Sequence, residues 1–520
     1  MSLPGLSLPG LGLQLSATPV LGGSAAPPAE QSPRREDLPP RSEWRFETSS
    51  SSSSSYHARV LSGHAELFGV ELAVNQLYDL SGTKGAIFTW QGCQLEFMGD
   101  AESEYAAEET EYAVEWLSLH GMLETFRDEP ANDGPRVLVV GSDSTGKSSL
   151  IRSVIARAVS SGRTPTVVNL DPRQGLLAPP SSLTAVTLGS QMEVENGFGI
   201  SPISGPTVTP MKTPLVYHYP YHSPTDKPDV YKAIVTRLAL STTSRLEEDL
   251  KAKQSGIILD TPGVLGVTDG KGNINEILHH LVSEFSINVI VSMGPERLTN
   301  ALSKRYSVAK GADEAIPVLR VAKPGGLAER NEPYLKQSRA RYTRSYFFGS
   351  AKESLSPHSH SIAFDNLVIY RANTTSTGSG TTSYGADADD DYDPSSDNTT
   401  MSGTSTATFD KVAPSVAMMG SLIAIKFCPT NSDEDAIRDS AVMGFVYVAD
   451  VDEARKKVRF LAPHPQSWGN RALMQASSVE EVYFASSLGR PAWQYRRQYD
   501  TGGDCDVESL LAGWIVPVDE

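Results

Sequence analysis

The stretch Gly141-Ser142-Asp143-Ser144-Thr145-Gly146-Lys147-Ser148 constrains this chain more than any other. It fits G-x-x-x-x-G-K-[ST], the phosphate-binding P-loop. The apolar run 135–140 precedes it and reads as a buried parallel strand. Residues 149–158 follow, with Leu150, Val154 and Ala158 on one face at i+4 spacing, so they read as a helix. Strand, glycine loop and helix are the context the motif needs. Loop amides and the helix N-terminus then present partial positive charge to a polyphosphate. Lys147 can reach the β/γ-phosphates, and the Ser148 hydroxyl can bind Mg²⁺.

The alternation of apolar strands and helical stretches continues from about 132 to 345. Strands are expected at 166–171, 256–260, 287–293 and 317–321, and helices at 228–243 and 271–284. This is an α/β layout with a mainly parallel sheet. Asp260 ends one strand and fits a Walker B acid, which orders Mg²⁺. Asp171 ends another. In a phosphoryl-transfer enzyme such an acid can take the acceptor hydroxyl's proton. Asp260-Thr261-Pro262-Gly263 also matches the D-x-x-G of GTPases, but no N-K-x-D guanine reader accompanies it.

The remaining organisation follows from composition. At 520 residues the chain exceeds one domain. Residues 1–40 are rich in Gly, Pro, Ser and Ala and read as a disordered leader without a signal peptide. Residues 41–130 hold short strand-like segments at 58–61, 65–72, 85–90 and 93–98, a pattern for a small β-sandwich, with a helix at 111–127. The serine run 49–55 reads as a loop inside it. From 346 to 520 β-like runs return, interrupted by an acidic, Thr/Ser/Gly-rich tract at 372–413 that reads as a disordered insertion. The last fifty residues carry no assignable pattern. The net charge of −17 argues against general nucleic-acid binding, so protein partners or a local basic pocket are expected. Three dispersed cysteines suit a reducing compartment. No apolar stretch approaches the roughly 20 residues of a membrane span, and a soluble protein is expected.

Gly162-Arg163-Thr164-Pro165-Thr166 followed by Asp171-Pro172-Arg173-Gln174-Gly175 resembles the polynucleotide 5′-hydroxyl kinases of the eukaryotic Clp type. Members of that family sit in pre-mRNA cleavage and polyadenylation machinery. Residues 43–47, 84–90, 214–219, 296–298, 323–326 and 346–349 are similar to it too, and the long insertions are fungal in style. The resemblance implies an N-terminal β-sandwich, a central RecA-like P-loop domain and a C-terminal mixed α/β domain. It implies ATP and Mg²⁺ as cofactors. By position, Glu43 and Lys84 match the family's nucleotide-contacting acid and lysine. Gly141, Ser144, Thr145, Gly146, Lys147, Ser148 and Ser149 match its phosphate contacts, and Ser148, Asp171 and Asp260 its metal site. If the chain is active, Asp171, Lys147 and the lid cations Arg297 and Arg305 carry catalysis.

Three departures divide these pieces. Active members place a tryptophan where this chain has Val264, and base stacking there is worth on the order of 1–3 kcal/mol. The mid-loop pair Asp143-Ser144 reverses the hydroxyl-then-acid order of active members. The cations after Glu296-Arg297-Leu298, at Lys304-Arg305, stand slightly out of register. The expectation is therefore an ATP-binding structural subunit of the nuclear pre-mRNA cleavage factor, with weak or no kinase activity. Its partners would be other subunits, including the one that binds the RNA polymerase II tail, with RNA weak at most. The alternative is an active ATP-dependent polyribonucleotide 5′-hydroxyl kinase.

Overall fold

A computed structural model describes residues 33–48, 55–107, 111–129, 133–195, 214–267, 272–307, 315–349, 354–372, 409–463 and 471–475. Three β-rich bodies follow one another along the chain.

The first holds β1 (Arg34–Leu38), β2 (Ser42–Glu47), β3 (Tyr56–Gly63), β4 (Glu66–Leu67), β5 (Val70–Glu71), β6 (Leu77–Asp79), β7 (Lys84–Thr89), β8 (Cys93–Gly99) and β9 (Ser103–Ala107). They form two antiparallel sheets, ordered β1-β8-β3-β6 and β5-β4-β7-β2-β9. Alternation in β3 buries Tyr56, Ala58 and Val60 and turns the residues between them outward. Trp44 stacks on Phe97 across the sandwich at 4.9 Å between centroids. This is the expected β-sandwich with an earlier start. Arg34–Leu38 lies inside the expected leader, yet it pairs with β8. Its sequence has no apolar alternation, and the free edge of β8 makes it a strand. The serine run lies outside the described residues except for Ser55, and 1–32 lie outside them entirely.

The helix α1 (Glu111–Asp128) leads into the central sheet. There β10 (Arg136–Gly141), α2 (Lys147–Ser160), β11 (Thr166–Asn169), β12 (Ser182–Thr187), β13 (Leu215–His218), α3 (Pro228–Glu248), α4 (Leu250–Ser255), β14 (Ile257–Asp260), α5 (Gly272–Glu284), β15 (Val289–Met293), α6 (Glu296–Tyr306), β16 (Val318–Val321) and α7 (Glu332–Phe348) follow. The sheet order is β13-β12-β11-β14-β10-β15-β16. The pairs from β11 through β16 are parallel, as expected, while β12 and β13 extend the sheet antiparallel. Every residue of β10, β14 and β15 is buried, which explains why these strands read as continuous apolar runs.

The third body is a sheet of β17 (His358–Ala363), β18 (Ile369–Ala372), β19 (Phe409–Val412), β20 (Leu422–Pro429), β21 (Val442–Asp452), β22 (Lys457–Ala462) and β23 (Arg471–Gln475), with the short helix α8 (Glu434–Asp439). Its order is β17-β22-β21-β20-β23-β18-β19; β18–β23 is parallel and the other pairs are antiparallel. Two boundaries need correction. The expected insertion 372–413 contains structure at its edges, because Ala372 and Phe409–Val412 pair as neighbouring strands. The expected break at 345/346 falls inside α7, whose last turn packs Tyr346 and Phe347 with Phe445 of β21. Residues 373–408 and 476–520 lie outside the described residues.

Candidate functional site

β10 ends at Gly141, between β14 and β15, so the loop after it emerges at the carboxyl edge of the sheet. This is where open α/β sheets bind ligands. Gly141 must be glycine: a Cβ would come within 2.5 Å of the Met293 carbonyl oxygen. Ser144 and Gly146 adopt left-handed backbone, with φ of 54° and 92°. That turn delivers the chain into α2, and backbone of this kind can form an anion-binding nest. Thr145 Oγ1 donates to the Ser142 carbonyl at 2.8 Å and braces the loop. Lys147 and Ser149 stand in the first turn of α2, Lys147 buried and Ser149 half-buried.

Lys147 Nζ donates to the carbonyls of Gly141 and Ser142, both at 2.8 Å. The loop's own carbonyls therefore hold the ammonium. Burial lowers the lysine's pKa, opposed by Asp260, Asp143 and Asp171. Ser148 Oγ donates to Asp260 Oδ2 at 2.6 Å. The other oxygen, Oδ1, is buried without a hydrogen-bond partner among the described residues. Burial raises the Asp260 pKa, and Lys147 and Ser148 work against the rise. An orphaned carboxylate oxygen beside the P-loop hydroxyl fits a hard divalent cation that shares its shell with phosphates. Among the described residues no cluster of three His, Cys, Asp or Glu side chains could hold a metal alone.

On the other side of the loop stands Asp171, 1% exposed and two residues past β11. Its Oδ1 accepts from the Arg173 backbone N–H at 3.0 Å and from Arg173 Nε at 3.4 Å, and its Oδ2 from Gln174 Nε2 at 3.0 Å. The carboxylate is therefore taken up by its own turn and does not bond Ser148. Arg173 also reaches the P-loop, where Nη2 donates to Asp143 Oδ1 at 2.8 Å. The Asp143 carboxylate lies over the 262–266 turn, and a Cβ on Gly263 would come within 2.0 Å of it. A cavity of about 500 Å³ opens here, lined by Asp143, Arg173, Ser223, Pro224, Val264 and Val267 among others. Val264 gives this wall an aliphatic face. Arg173 and Ser223-Pro224 stand at no motif position to which the sequence assigns a role. The one available signal is the pair of unspecified positions between Asp171 and Gln174.

Glu43 and Lys84 lie on adjacent strands of the N-terminal body, β2 and β7. Glu43 is 1% exposed and bonds Arg45 and Tyr112; burial raises its pKa against both partners. Lys84 Nζ donates to Glu47 Oε2 at 2.7 Å and to the Glu329 carbonyl at 3.2 Å. The loop between β16 and α7 joins these strands to the P-loop. A Cβ on Gly326 would come within 2.2 Å of Arg45, and one on Gly146 within 3.4 Å of Leu327. The structure thus gathers the P-loop, Asp260 and Asp171 closely, and links Glu43 and Lys84 to them through residues 326–329. The lid cations are arranged otherwise. Arg297 is exposed at the start of α6, and Arg305 donates to the Asn275 carbonyl of α5 at 3.1 Å.

The chain is 41% identical over 476 residues to an mRNA cleavage and polyadenylation factor clp1 of Botryotinia fuckeliana, covering 89% of this chain and 98% of that protein. The corresponding protein of Phaeosphaeria nodorum is 42% identical, with 92% and 99% covered. The chain belongs to the Clp1 family of mRNA cleavage and polyadenylation factors. Family models cover its three bodies in turn. The N-terminal beta-sandwich domain of polyadenylation factor matches 37–130, the CLP1 P-loop model 141–349, and the pre-mRNA cleavage complex II protein Clp1 model 355–479. Among solved structures, Clp1p bound to Pcf11p aligns with a TM-score of 0.71 at 22% identity, covering 86% of this chain and 98% of that one. A second Clp1p structure, describing an extended Pcf11p interface, gives 0.73 at 23%, covering 86% and 99%. These structures share the Clp1 fold.

Proposed function

We propose that the chain is an ATP-binding structural subunit of the nuclear pre-mRNA cleavage factor, required for 3′-end cleavage and polyadenylation, with weak or no kinase activity. One observation supports this reading: Lys147, Ser148 and Asp260 converge beside the P-loop, while the Asp171 carboxylate is already bonded by Arg173 and Gln174. Lys147, Ser148 and the orphaned Asp260 oxygen suit a magnesium–nucleotide. Asp171 is engaged by Arg173 and Gln174, and the neighbouring wall is Val264. Gly141, Ser144, Thr145, Gly146, Lys147, Ser148 and Ser149 would hold the phosphates. Ser148 and Asp260 would hold Mg²⁺, and Glu43 and Lys84 would serve the adenosine end. When bound, magnesium–ATP supplies a polyanion that joins the N-terminal and central bodies across residues 326–329. The scaffold would hold other cleavage-factor subunits, as Clp1p is solved with Pcf11p, and we include among them the one that binds the polymerase tail. The net charge of −17 suits protein contacts better than broad RNA binding.

The alternative, an ATP-dependent RNA 5′-hydroxyl kinase, is favoured by a buried Asp171 within electrostatic reach of Lys147. Asp171 would then be the base, with Lys147, Arg297 and Arg305 stabilising the transferring charge. Purified protein incubated with labelled ATP and a 5′-hydroxyl oligoribonucleotide separates the two. The expected result is ATP retained through gel filtration with no label transferred. Transfer that disappears in Asp171→Asn would establish the kinase instead.

A further inference from the structure

The guanidinium of Arg173 contacts two loops that come from different strands. It meets Asp143 in the P-loop at 2.8 Å and Asp171 after β11 at 3.4 Å. The partners differ in burial: the Asp143 side chain is 60% exposed, Asp171 only 1%. An exposed ion pair alone contributes little. The same planar fork bonded to a buried carboxylate is pre-organised, so the exposed half of the contact costs little further ordering. Burial works to lower the arginine's pKa, but Asp171 and Asp143 outweigh it and the net shift is upward. The side chain also lines the cavity beside Val264, where an acceptor would approach Asp171.

We propose that Arg173 is an internal latch. It ties the P-loop to the acid-bearing turn, lines the acceptor side of the site, and holds the Asp171 carboxylate in a contact that an acceptor would have to displace. Resting on the reading of an ATP-holding subunit, this assigns the low transfer activity to one side chain and one contact, Asp143–Arg173–Asp171. Asp143 is the latch's second half, which gives the reversed Asp143-Ser144 order a physical consequence: the acid stands where Arg173 can reach it. Released from the latch, Asp171 would accept a proton from water as that oxygen bonds the γ-phosphorus and the bond to the ADP oxygen breaks.

The test uses the full-length chain and begins without nucleotide. Hydrogen exchange is followed in segments 141–146 and 171–175 for the parent, Arg173→Met, Asp143→Asn and the double variant. Each single variant should speed exchange in both segments, by about tenfold for loss of a charge-assisted contact, and the double variant should add nothing. Unchanged exchange, or additive effects confined to separate segments, would overturn the latch. The second readout is ADP release from ATP-loaded protein. Arg173→Met should raise it about tenfold or more, and Asp171→Asn in the same chain should remove the gain. No gain with ATP still bound overturns the inhibitory role. Loss of ATP from Arg173→Met also overturns it, by placing the guanidinium on phosphate. The parent protein reports separately on the underlying reading: a parent that cannot retain ATP, or that phosphorylates a 5′-hydroxyl oligoribonucleotide as fast as Arg173→Met, refutes the subunit reading whatever the exchange data show.

Discussion

At the scale of single residues, Lys147 and Lys426 show how burial sets the behaviour of a cation. Lys147 is 7% exposed and satisfies itself on two loop carbonyls. On the proposed reading phosphate oxygens would replace those carbonyls, so Lys147→Ala should weaken ATP binding by about ten- to a hundred-fold in equilibrium dialysis, the loss expected for a charge-assisted contact. Unaltered affinity would remove Lys147 from the site. Lys426 has no such exchange available. It is fully buried in β20 at the seam with the central body, and its Nζ has the Arg438 carbonyl at 3.4 Å. Burial pushes its pKa down to about 7, against the attraction of Cys428 and Asp439. His218 of β13 lies in the same seam, where burial and Lys426 push it down to about 3. Both shifts disfavour the charged form in the folded state. The unfolded chain therefore binds more protons between pH 7 and 10.5 for Lys426, and between about 3 and 6.5 for His218. Stability should rise with pH through both windows. Lys426→Met should raise the urea midpoint at pH 7, by an amount worth up to a few kcal/mol, and should flatten the rise between pH 7 and 10. A lower midpoint at pH 7 would show that the lysine is stabilising.

At the scale of elements, α7 joins the three bodies. Arg341 Nη1 donates to the carbonyls of Ser81 and Gly82 in the sandwich, at 2.9 and 3.1 Å. Tyr342 lies against Arg152 of α2. Tyr346 OH accepts the Phe445 backbone N–H at 2.9 Å in the third body. Tyr346→Phe would leave that buried N–H unpaired and should cost about 1–3 kcal/mol in chemical unfolding. A loss below the scatter of the measurement would mean that water reaches the site. The Tyr346-Phe347-Phe348-Gly349 block was visible in the sequence, but its role was not, because its partner Phe445 is remote along the chain. The same limit explains the other gaps. β10, β14 and β15 were legible because strands buried on both faces are apolar throughout. The P-loop was legible because its chemistry lies within eight consecutive residues. β1, with the sequence Arg-Arg-Glu-Asp-Leu, becomes a strand only through its partner β8. The antiparallel pairing of β12 and β13 likewise depends on neighbours that a local pattern does not encode. Arg173 reads as an ordinary charged turn residue until Asp143, thirty positions earlier, is placed beside it.

At the scale of the whole molecule, the contacts between the sandwich and the central body gather around the P-loop helix. Glu66 pairs with Arg157 of α2, and Gly69 packs so closely on α2 that a Cβ would come within 2.9 Å of the Ser153 carbonyl oxygen. Lys84 reaches the Glu329 carbonyl, and Gly326 lies against Arg45. A nucleotide with its phosphates on the loop and its base near β2 and β7 would add contacts at this same seam. A ligand that binds only the assembled state stabilises it by mass action, by about 2.7 kcal/mol at a hundredfold excess over Kd. Protein stripped of nucleotide should therefore unfold at a lower temperature, and the seam should open before the third body does. Limited proteolysis reads this directly: cleavage within 322–331 should speed up on ATP removal and slow again when ATP and Mg²⁺ are restored. The third body offers an internal control, since β21 meets α7 and β13 and α8 meets α3, at a distance along the fold from the P-loop. Equal acceleration at both places would indicate general loosening. Acceleration at neither would mean that the sandwich is held by its own side-chain contacts and that nucleotide does not clamp it.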